Sequence, residues 1–177
     1  MKKWTTVDSK ILCSSDFLSV TEDSVILPNG KQIGYNTIKL WDFVSVVPII
    51  GNDVAMIEIL RYPRNCLSLE IPSGHIESNE TPQESAAREL LEETGYTVGQ
   101  LAPLCSYNPL SRSLQMAHLF LATELTKGTP QLEETEQIKV KLVPLQEIQE
   151  LLNTGKIVHA PTIIGLQKLL LMKQNPK

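Results

Sequence analysis

The chain has 177 residues, a formal net charge of −4, and 42% hydrophobic and 20% charged residues, enough for one domain with a sizeable core. An acidic balance without Lys/Arg runs argues against a binder of nucleic-acid backbone. Apolar runs are broken by charge or Pro within about ten residues, short of the ~20 that span a bilayer, and the basic start "MKKWTTVDSK" precedes no apolar leader core, so a soluble cytoplasmic protein is expected.

Residues 11–40 read as short strands, with Pro28-Asn29-Gly30 as a turn between two β-leaning runs. "FVSVVPII" (43–50) and "VAMIEIL" (54–60) flank Gly51-Asn52-Asp53 and predict a hairpin of buried strands; "LSLEI" (67–71) is a further strand. Thr81-Pro82-Gln83-Glu84 opens a helix. Thr81 caps it, Pro82 suits the first helical position and Glu84 completes a capping box. Gly95 can end it in the left-handed conformation, so the helix runs from Pro82 to Thr94. "LCSY" (104–107) and "MAHLFLATE" (116–124) follow as strands, "KGTPQLEETEQ" (127–137) as a loop, and "IKVKLV" (138–143) alternates like a strand.

Two helices close the chain. "PLQEIQELLNTG" places Leu145, Ile148 and Leu152 on one face, with Gly155 just past its end. "PTIIGLQKLLLMK" begins at a Pro suited to a first turn. Strands, then helix, then strands imply an α+β fold with helices packed on a mixed sheet. Residues 1–42 are expected to form a small β-subdomain or arm, and 43–177 the main domain.

Cys13, Cys66 and Cys105 fit neither a disulfide framework nor a zinc pattern, so reduced, partly buried thiols are expected, Cys66 and Cys105 as packing residues. His75, His118 and His159 show no metal-ligand spacing; His118, inside an apolar strand, reads as structural.

The acidic helix carries the chemical question. Glu89, Glu92 and Glu93 fall within roughly one 100° arc, with Ala86, Ala87, Leu90 and Leu91 assigned to the other side. The apolar arc is expected to pack on the sheet and the carboxylates to project outward together. Like charges at this spacing cost a few tenths of a kcal/mol per pair, and Arg88, four residues before Glu92, offsets part of that. The patch is either a solvated acidic face or a site for Mg2+ or Mn2+, which take carboxylate oxygens and carry phosphate chemistry.

The spacing resembles a known signature. "GHIESNETPQESAARELLEETGY" (74–96) is Gly74, five residues, Glu80, seven residues, then Arg88, Glu89, Leu90, Glu92, Glu93 and Gly95. This is similar to the Nudix box, G-x5-E-x7-R-E-U-x-E-E-x-G-U, with Tyr96 a mild departure at the last apolar position. "LPNG" (27–30), "LRYPRN" (60–65), "LEIPSGHIE" (69–77), "HLFLA" (118–122), "ETEQIKV" (134–140) and "GKI" (155–157) extend the resemblance to the ADP-ribose pyrophosphatase branch.

That resemblance implies an α/β/α sandwich with an N-terminal β-region, often exchanged across a homodimer. It implies a Mg2+ site, with Mn2+ as a substitute, on Glu89, Glu92, Glu93, the Ser73 carbonyl and Glu136. Glu134 matches the general base, with Glu133 and Glu136 the other acids of that loop; Glu92 and Arg88 join Glu134 in the catalytic set. Arg88 would orient carboxylates, Glu80 would brace the loop, and Gly74 and Gly95 would supply turns.

For substrate binding, Arg61 keeps the branch's second Arg, Trp41 is a candidate platform for a nucleobase, and Arg112 a replacement cation. Arg64 is a weaker choice. Glu58, Ile59 and Leu60 stand where the branch has an Arg-Gln pair and an aromatic, and "YNPLSRSLQ" (107–115) lacks the branch's acids after Pro109. The implied activity is hydrolysis of a nucleoside diphosphate sugar, ADP-ribose first, to AMP and ribose 5-phosphate, without nucleic-acid or membrane partners. GDP-mannose or another sugar nucleotide is the alternative within the class. A non-catalytic nucleotide-sugar binder is the alternative outside it.

Overall fold

The computed structural model describes residues 2–132 and 137–174. The chain divides into two compact units: Met1–Asp42 with Tyr107–Ala117, and Phe43–Ser106 with His118–Lys177. In the first, β1 (Thr5–Ser14), β2 (Leu18–Ile26) and β3 (Gln32–Leu40) form an antiparallel sheet in that order. These strands are longer than the short runs expected over 11–40, and β1 begins earlier, at Thr5; two irregularities in its pairing with β2, at Thr6/Asp8 and Ile11/Cys13, leave the ladder continuous. The turn at Pro28-Asn29-Gly30 closes β2 onto β3, with the Leu27 N–H donating to the Lys31 carbonyl at 2.8 Å. Residues 107–117 join this unit through β3, where the Ile38 N–H donates to the Arg112 carbonyl at 2.9 Å.

The second unit holds the remaining elements: β4 (Phe43–Ile50), β5 (Asp53–Arg61), β6 (Cys66–Glu70), β7 (Ser73–His75), α1 (Pro82–Thr94), β8 (Tyr96–Thr97), β9 (Gln100–Tyr107), β10 (Ala117–Thr123), β11 (Thr126–Lys127), β12 (Ile138–Pro144), α2 (Leu145–Asn153) and α3 (Ala160–Gln174). The main sheet runs β12-β5-β4-β10-β9, with β6 added on β5 and β7 on β4. Side chains alternate across it as strand geometry requires. Val44, Val46, Ala55, Phe120 and Ala122 pack with Ala86 and Leu90 of α1. Their neighbours Val47, Val54, Met56 and Leu119 pack with Ile148 of α2 and Leu166 and Leu169 of α3. Each face buries one apolar layer under helices, which is the expected α/β/α sandwich. Among the described residues no helix is long and apolar enough to cross a membrane.

The start of α1 follows the sequence closely. The Thr81 hydroxyl accepts from the Glu84 N–H, the Glu84 carboxylate accepts from the Thr81 N–H, and Gly95 takes φ 77° at the C-terminus. The start of α3 differs: it begins at Ala160, and the His159 carbonyl accepts from the Ile163 N–H at 3.0 Å. Pro161 is therefore its second residue rather than its first.

Candidate active site

One sequence expectation about α1 is corrected. The three acids do not project outward together: Glu93 is 3% exposed, and the Glu89 and Glu92 side chains keep 12% and 34%. Helical geometry explains this, since Glu93 lies only about 20° from Ala86 and about 60° from Leu90 around the axis, and so at the edge of the buried arc.

The buried carboxylates meet the backbone of β7. The Ser73 N–H donates to Glu93 Oε2 at 2.9 Å. Gly74 provides a cradle for Glu89: a Cβ on Gly74 would stand 2.0 Å from the Glu89 Oε1 and 2.3 Å from its Oε2. The Ser73–Gly74 backbone thus lies between two carboxylates delivered by one helix.

Arg88 collects the other acids. Its Nε and Nη2 donate to Glu80 at 2.7 and 3.0 Å, and Nη1 to Glu89 at 2.8 Å and Glu92 at 2.9 Å. Nη2 also donates to the His75 carbonyl at 2.9 Å, tying α1 to the end of β7. The Glu80 hydrogen bonds, with the nearby Glu89 and Glu92, hold Arg88 charged well above its ordinary range. In return Arg88 lowers the Glu80 carboxyl below its usual value. Glu80 also accepts from the Glu77 N–H at 3.2 Å, closing its own loop.

Glu89, Glu92, Glu93 and the Ser73 carbonyl are hard oxygen donors, the chemistry a divalent cation takes. As placed, no group of three His, Cys, Asp or Glu among the described residues holds an ion by itself, and Arg88 lies between Glu89 and Glu92. The donors fit such a cation in kind, and the Gly74 cradle has the shape that keeps a carboxylate against the Ser73 backbone.

Glu133, Glu134 and Glu136 lie outside the described residues. The segment leading to them is anchored on α1: the Gly128 N–H donates to the Gly95 carbonyl at 2.7 Å and the Gln131 N–H to the Glu92 carbonyl at 2.9 Å. Pro130 presses so closely on Gly95 that a Cβ there would sit 2.7 Å from its Cδ.

Arg61, at the end of β5, is gripped by Glu70, a carboxylate with only 2% exposure. Arg61 Nε and Nη2 donate to the two Glu70 oxygens at 3.0 and 2.6 Å. Burial pushes the Glu70 carboxyl up, but the Arg61 hydrogen bonds and the neighbouring His159 outweigh it and leave the group below its ordinary value. Glu58 is ion-paired with Lys141 on β12, so the acid that replaces an expected cation is locally neutralised.

Trp41 and Arg112 belong to the first unit. Trp41 is 45% exposed and lies 6.4 Å from the Phe17 ring at a tilted angle. Arg112 stacks 4.3 Å above the Tyr35 ring and donates to the Asn36 carbonyl at 3.3 Å. Tyr35 also meets Trp4 edge-on at 5.6 Å. Sequence reasoning did not single out Tyr35 and Trp4, since an aromatic in an exposed strand is an ordinary β residue.

It also missed Glu70, although an acid closing an apolar strand was a signal. His118, expected to be structural, has Nδ1 2.9 Å from the Ser106 hydroxyl. Of the thiols expected to be partly buried, Cys66 and Cys105 are so, but Cys13 is exposed on β1.

The NUDIX domain matches residues 42–164, and the nucleoside diphosphate sugar hydrolase N-terminal domain matches residues 4–34. The chain is 30% identical over 168 residues to an ADP-ribose pyrophosphatase of Bacillus subtilis (strain 168), spanning 93% of this chain and 91% of that protein. It is 30% identical over 172 residues to a methanol dehydrogenase activator of Bacillus methanolicus, with 95% and 93% covered. It has the same identity over 172 residues to a CMP-5'-(N-acetyl-N-hydroxy-3-aminopropyl)phosphonate hydrolase of Streptomyces rubellomurinus (strain ATCC 31215), with 95% and 82% covered. The crystal structure of an ADP compounds hydrolase shares the fold, with a TM-score of 0.88 at 21% identity over 99% of this chain and 97% of that one.

Proposed function

The chain belongs to the NUDIX family, and on that premise we propose that it hydrolyses the pyrophosphate of a nucleoside diphosphate sugar, ADP-ribose before others, with Mg2+ or Mn2+ as cofactor. The observation that carries this is the pair of carboxylates on the β7 backbone, Glu93 on the Ser73 amide and Glu89 in the Gly74 cradle.

Glu89, Glu92, Glu93 and the Ser73 carbonyl would hold the cation, with Glu136 a further acid. When bound, a divalent cation supplies charge neutralisation at pyrophosphate oxygens and makes water more acidic. Glu93, buried, is held at a fixed place by the Ser73 amide. Arg88 restrains Glu89 and Glu92 with charge-assisted hydrogen bonds. Glu134 would take the proton from the attacking water. The water oxygen bonds one phosphorus, the bridging P–O bond breaks, and ADP-ribose yields AMP and ribose 5-phosphate. Arg61, its Nε–Nη2 edge held by Glu70, would turn the rest of its guanidinium to the substrate phosphates.

GDP-mannose or another nucleotide derivative remains in competition, because relatives of equal identity carry names as different as a CMP-phosphonate hydrolase and a methanol dehydrogenase activator. The first unit exposes Trp4, Val7, Ile11, Leu12 and Phe17, an apolar surface suited to a partner; we assign it to a second copy of this chain, in a cytoplasmic homodimer. Trp41, 45% exposed, would serve as a platform for a nucleobase, and Arg112, seated over the Tyr35 ring, as a cation for the substrate.

The deciding experiment supplies ADP-ribose, GDP-mannose, ADP-glucose, NADH and diadenosine polyphosphates with Mg2+ or Mn2+ and measures mononucleotide release. Glu93→Gln keeps an acceptor for the Ser73 amide but removes the charge, so turnover should fall by at least about 100-fold. No metal-dependent release from any compound refutes the hydrolase and leaves a nucleotide-sugar binder. Full activity in Glu93→Gln refutes the metal assignment alone.

A further inference from the structure

A buried carboxylate is costly unless its oxygens are satisfied, and Glu70 closes β6 almost wholly out of water. Arg61 supplies a two-bonded fork. The Ser68 side chain is a further hydrogen-bond partner, and His159 Nδ1 lies 3.1 Å from Glu70 Oε2. An ionised carboxylate only accepts hydrogen bonds, so this contact selects the form of His159 that carries hydrogen on Nδ1.

The imidazole is itself held. His159 Nδ1 lies 2.9 Å from the Thr162 hydroxyl, and that hydroxyl oxygen accepts from the Ile71 N–H at 3.0 Å. Thr162 is fully buried. His159, just ahead of α3, therefore meets the Glu70 side chain, and Thr162 in the first turn of α3 meets the Ile71 backbone. Pro72, the next residue, is fixed from the opposite side, its carbonyl accepting from the Val46 N–H at 2.9 Å. Arg61, at the outer end of this chain of contacts, keeps 38% of its side chain exposed.

We infer that His159 is a positioning residue: by holding Glu70 from behind, it sets the direction in which Glu70 presents the Arg61 guanidinium to the substrate phosphates. This rests on the hydrolase function proposed above and on Arg61 meeting the substrate. Without His159, Glu70 keeps Arg61 and the Ser68 side chain but loses its contact on the α3 side, so its carboxylate can shift toward that side and draw the Arg61 guanidinium with it. The catalytic acids of α1 are not displaced, so substrate binding should suffer more than the chemical step.

The test compares His159→Leu, which removes the donor, with His159→Asn, which returns an N–H close to the Nδ1 position and still suits a helix start. With ADP-ribose and Mg2+, the Leu variant should raise KM about three- to tenfold, as Glu70 loses its polar contact on the α3 side, with kcat changed less than about twofold. The Asn variant should restore KM to within about twofold of the natural protein. Arg61→Lys, which loses the fork, should raise KM, and adding His159→Leu to it should raise KM no further.

A second readout needs neither metal nor turnover. The Arg61 Nε–H resonance, identified by its loss in Arg61→Lys, should be slow to exchange in the natural protein and in His159→Asn, and lost to exchange in His159→Leu. An unchanged KM and resonance in His159→Leu overturns the inference, as do independent, multiplicative effects in the double variant. If the natural protein cleaves no sugar nucleotide, the hydrolase proposal fails, and the resonance alone decides whether His159 orients Arg61.

Discussion

Gly74→Ala isolates the contact between β7 and Glu89. Gly74 does not have a positive φ, so alanine meets no backbone strain there. The added Cβ would lie 2.0 Å from the Glu89 carboxylate, whereas ordinary contact begins at 3.4 Å. The carboxylate must retreat by about 1.4 Å, the difference between those two distances. It is the far end of a flexible side chain, so the fold absorbs the shift cheaply. The main loss is the Arg88–Glu89 contact, about 0.5 kcal/mol for a partly exposed pair. A metal site tolerates deviations of only about 0.2 Å in ligand distance, and misplacing a catalytic group by about 1 Å costs roughly 100-fold in rate. The expectation is a fall in kcat/KM of about 100-fold, or about 2.7 kcal/mol of transition-state stabilisation, with Tm lowered by only a few degrees. The assay pairs metal-dependent hydrolysis with a thermal melt, using Glu89→Gln for comparison. Unaltered kcat/KM in Gly74→Ala would falsify the placement of Glu89 in the metal site. A large loss of Tm would show instead that Gly74 serves folding. If the two substitutions act through the same carboxylate, combining them should be no worse than the more damaging single change.

Gly95→Ala faces two penalties, a φ of 77° and a Cβ 2.7 Å from Pro130, and should lose about 1–3 kcal/mol in chemical denaturation; a loss below about 0.5 kcal/mol refutes the packing of Pro130 on Gly95. Ser45 is 1% exposed and its hydroxyl has no hydrogen-bond partner among the described residues, so Ser45→Ala should be neutral or stabilising by up to about 1 kcal/mol; destabilisation would reveal a partner such as bound water. Stability should fall on acidification in two stages. Burial lowers His159 below 6.5, so its neutral form stabilises the fold fully above that pH and the contribution is lost as pH falls through the folded value. Glu70 and Glu80 are held below 4.5, so their contribution is present above 4.5 and disappears as pH falls through their lower folded values. Melts from pH 8 to pH 3 read both stages, and His159→Asn should remove its part of the first; a Tm that rises between about pH 6.5 and pH 5 contradicts the sign for His159.

Local chemistry was legible where a few neighbouring residues decide the outcome. The capping box at Thr81 and Glu84 and the left-handed stop at Gly95 need no tertiary information, so α1 could be bounded in advance. The apolar runs 43–50 and 54–60 about Gly51-Asn52-Asp53 likewise announced a hairpin of buried strands. The orientation of the acids was less legible. An angular count alone places Glu93 at a boundary between faces, and only the Ser73 amide waiting on β7 makes burying its carboxylate favourable. The Arg61–Glu70–His159 cluster was out of reach for another reason: Glu70 and His159 are 89 positions apart in the sequence, and no local pattern says that α3 starts behind β6.

By itself the sequence determined the bounds of α1, the β4–β5 hairpin and the spacing from Gly74 to Gly95 that marks the family, because each rests on residues within one element or one loop. Tertiary structure alone decided which carboxylates lie buried on the β7 backbone, that Gly74 must remain without a side chain to receive one of them, and that His159, just ahead of α3, lies against Glu70. Those are contacts between elements distant along the chain. Their energies depend on desolvation and hydrogen-bond geometry that arise only when the sheet and helices have packed.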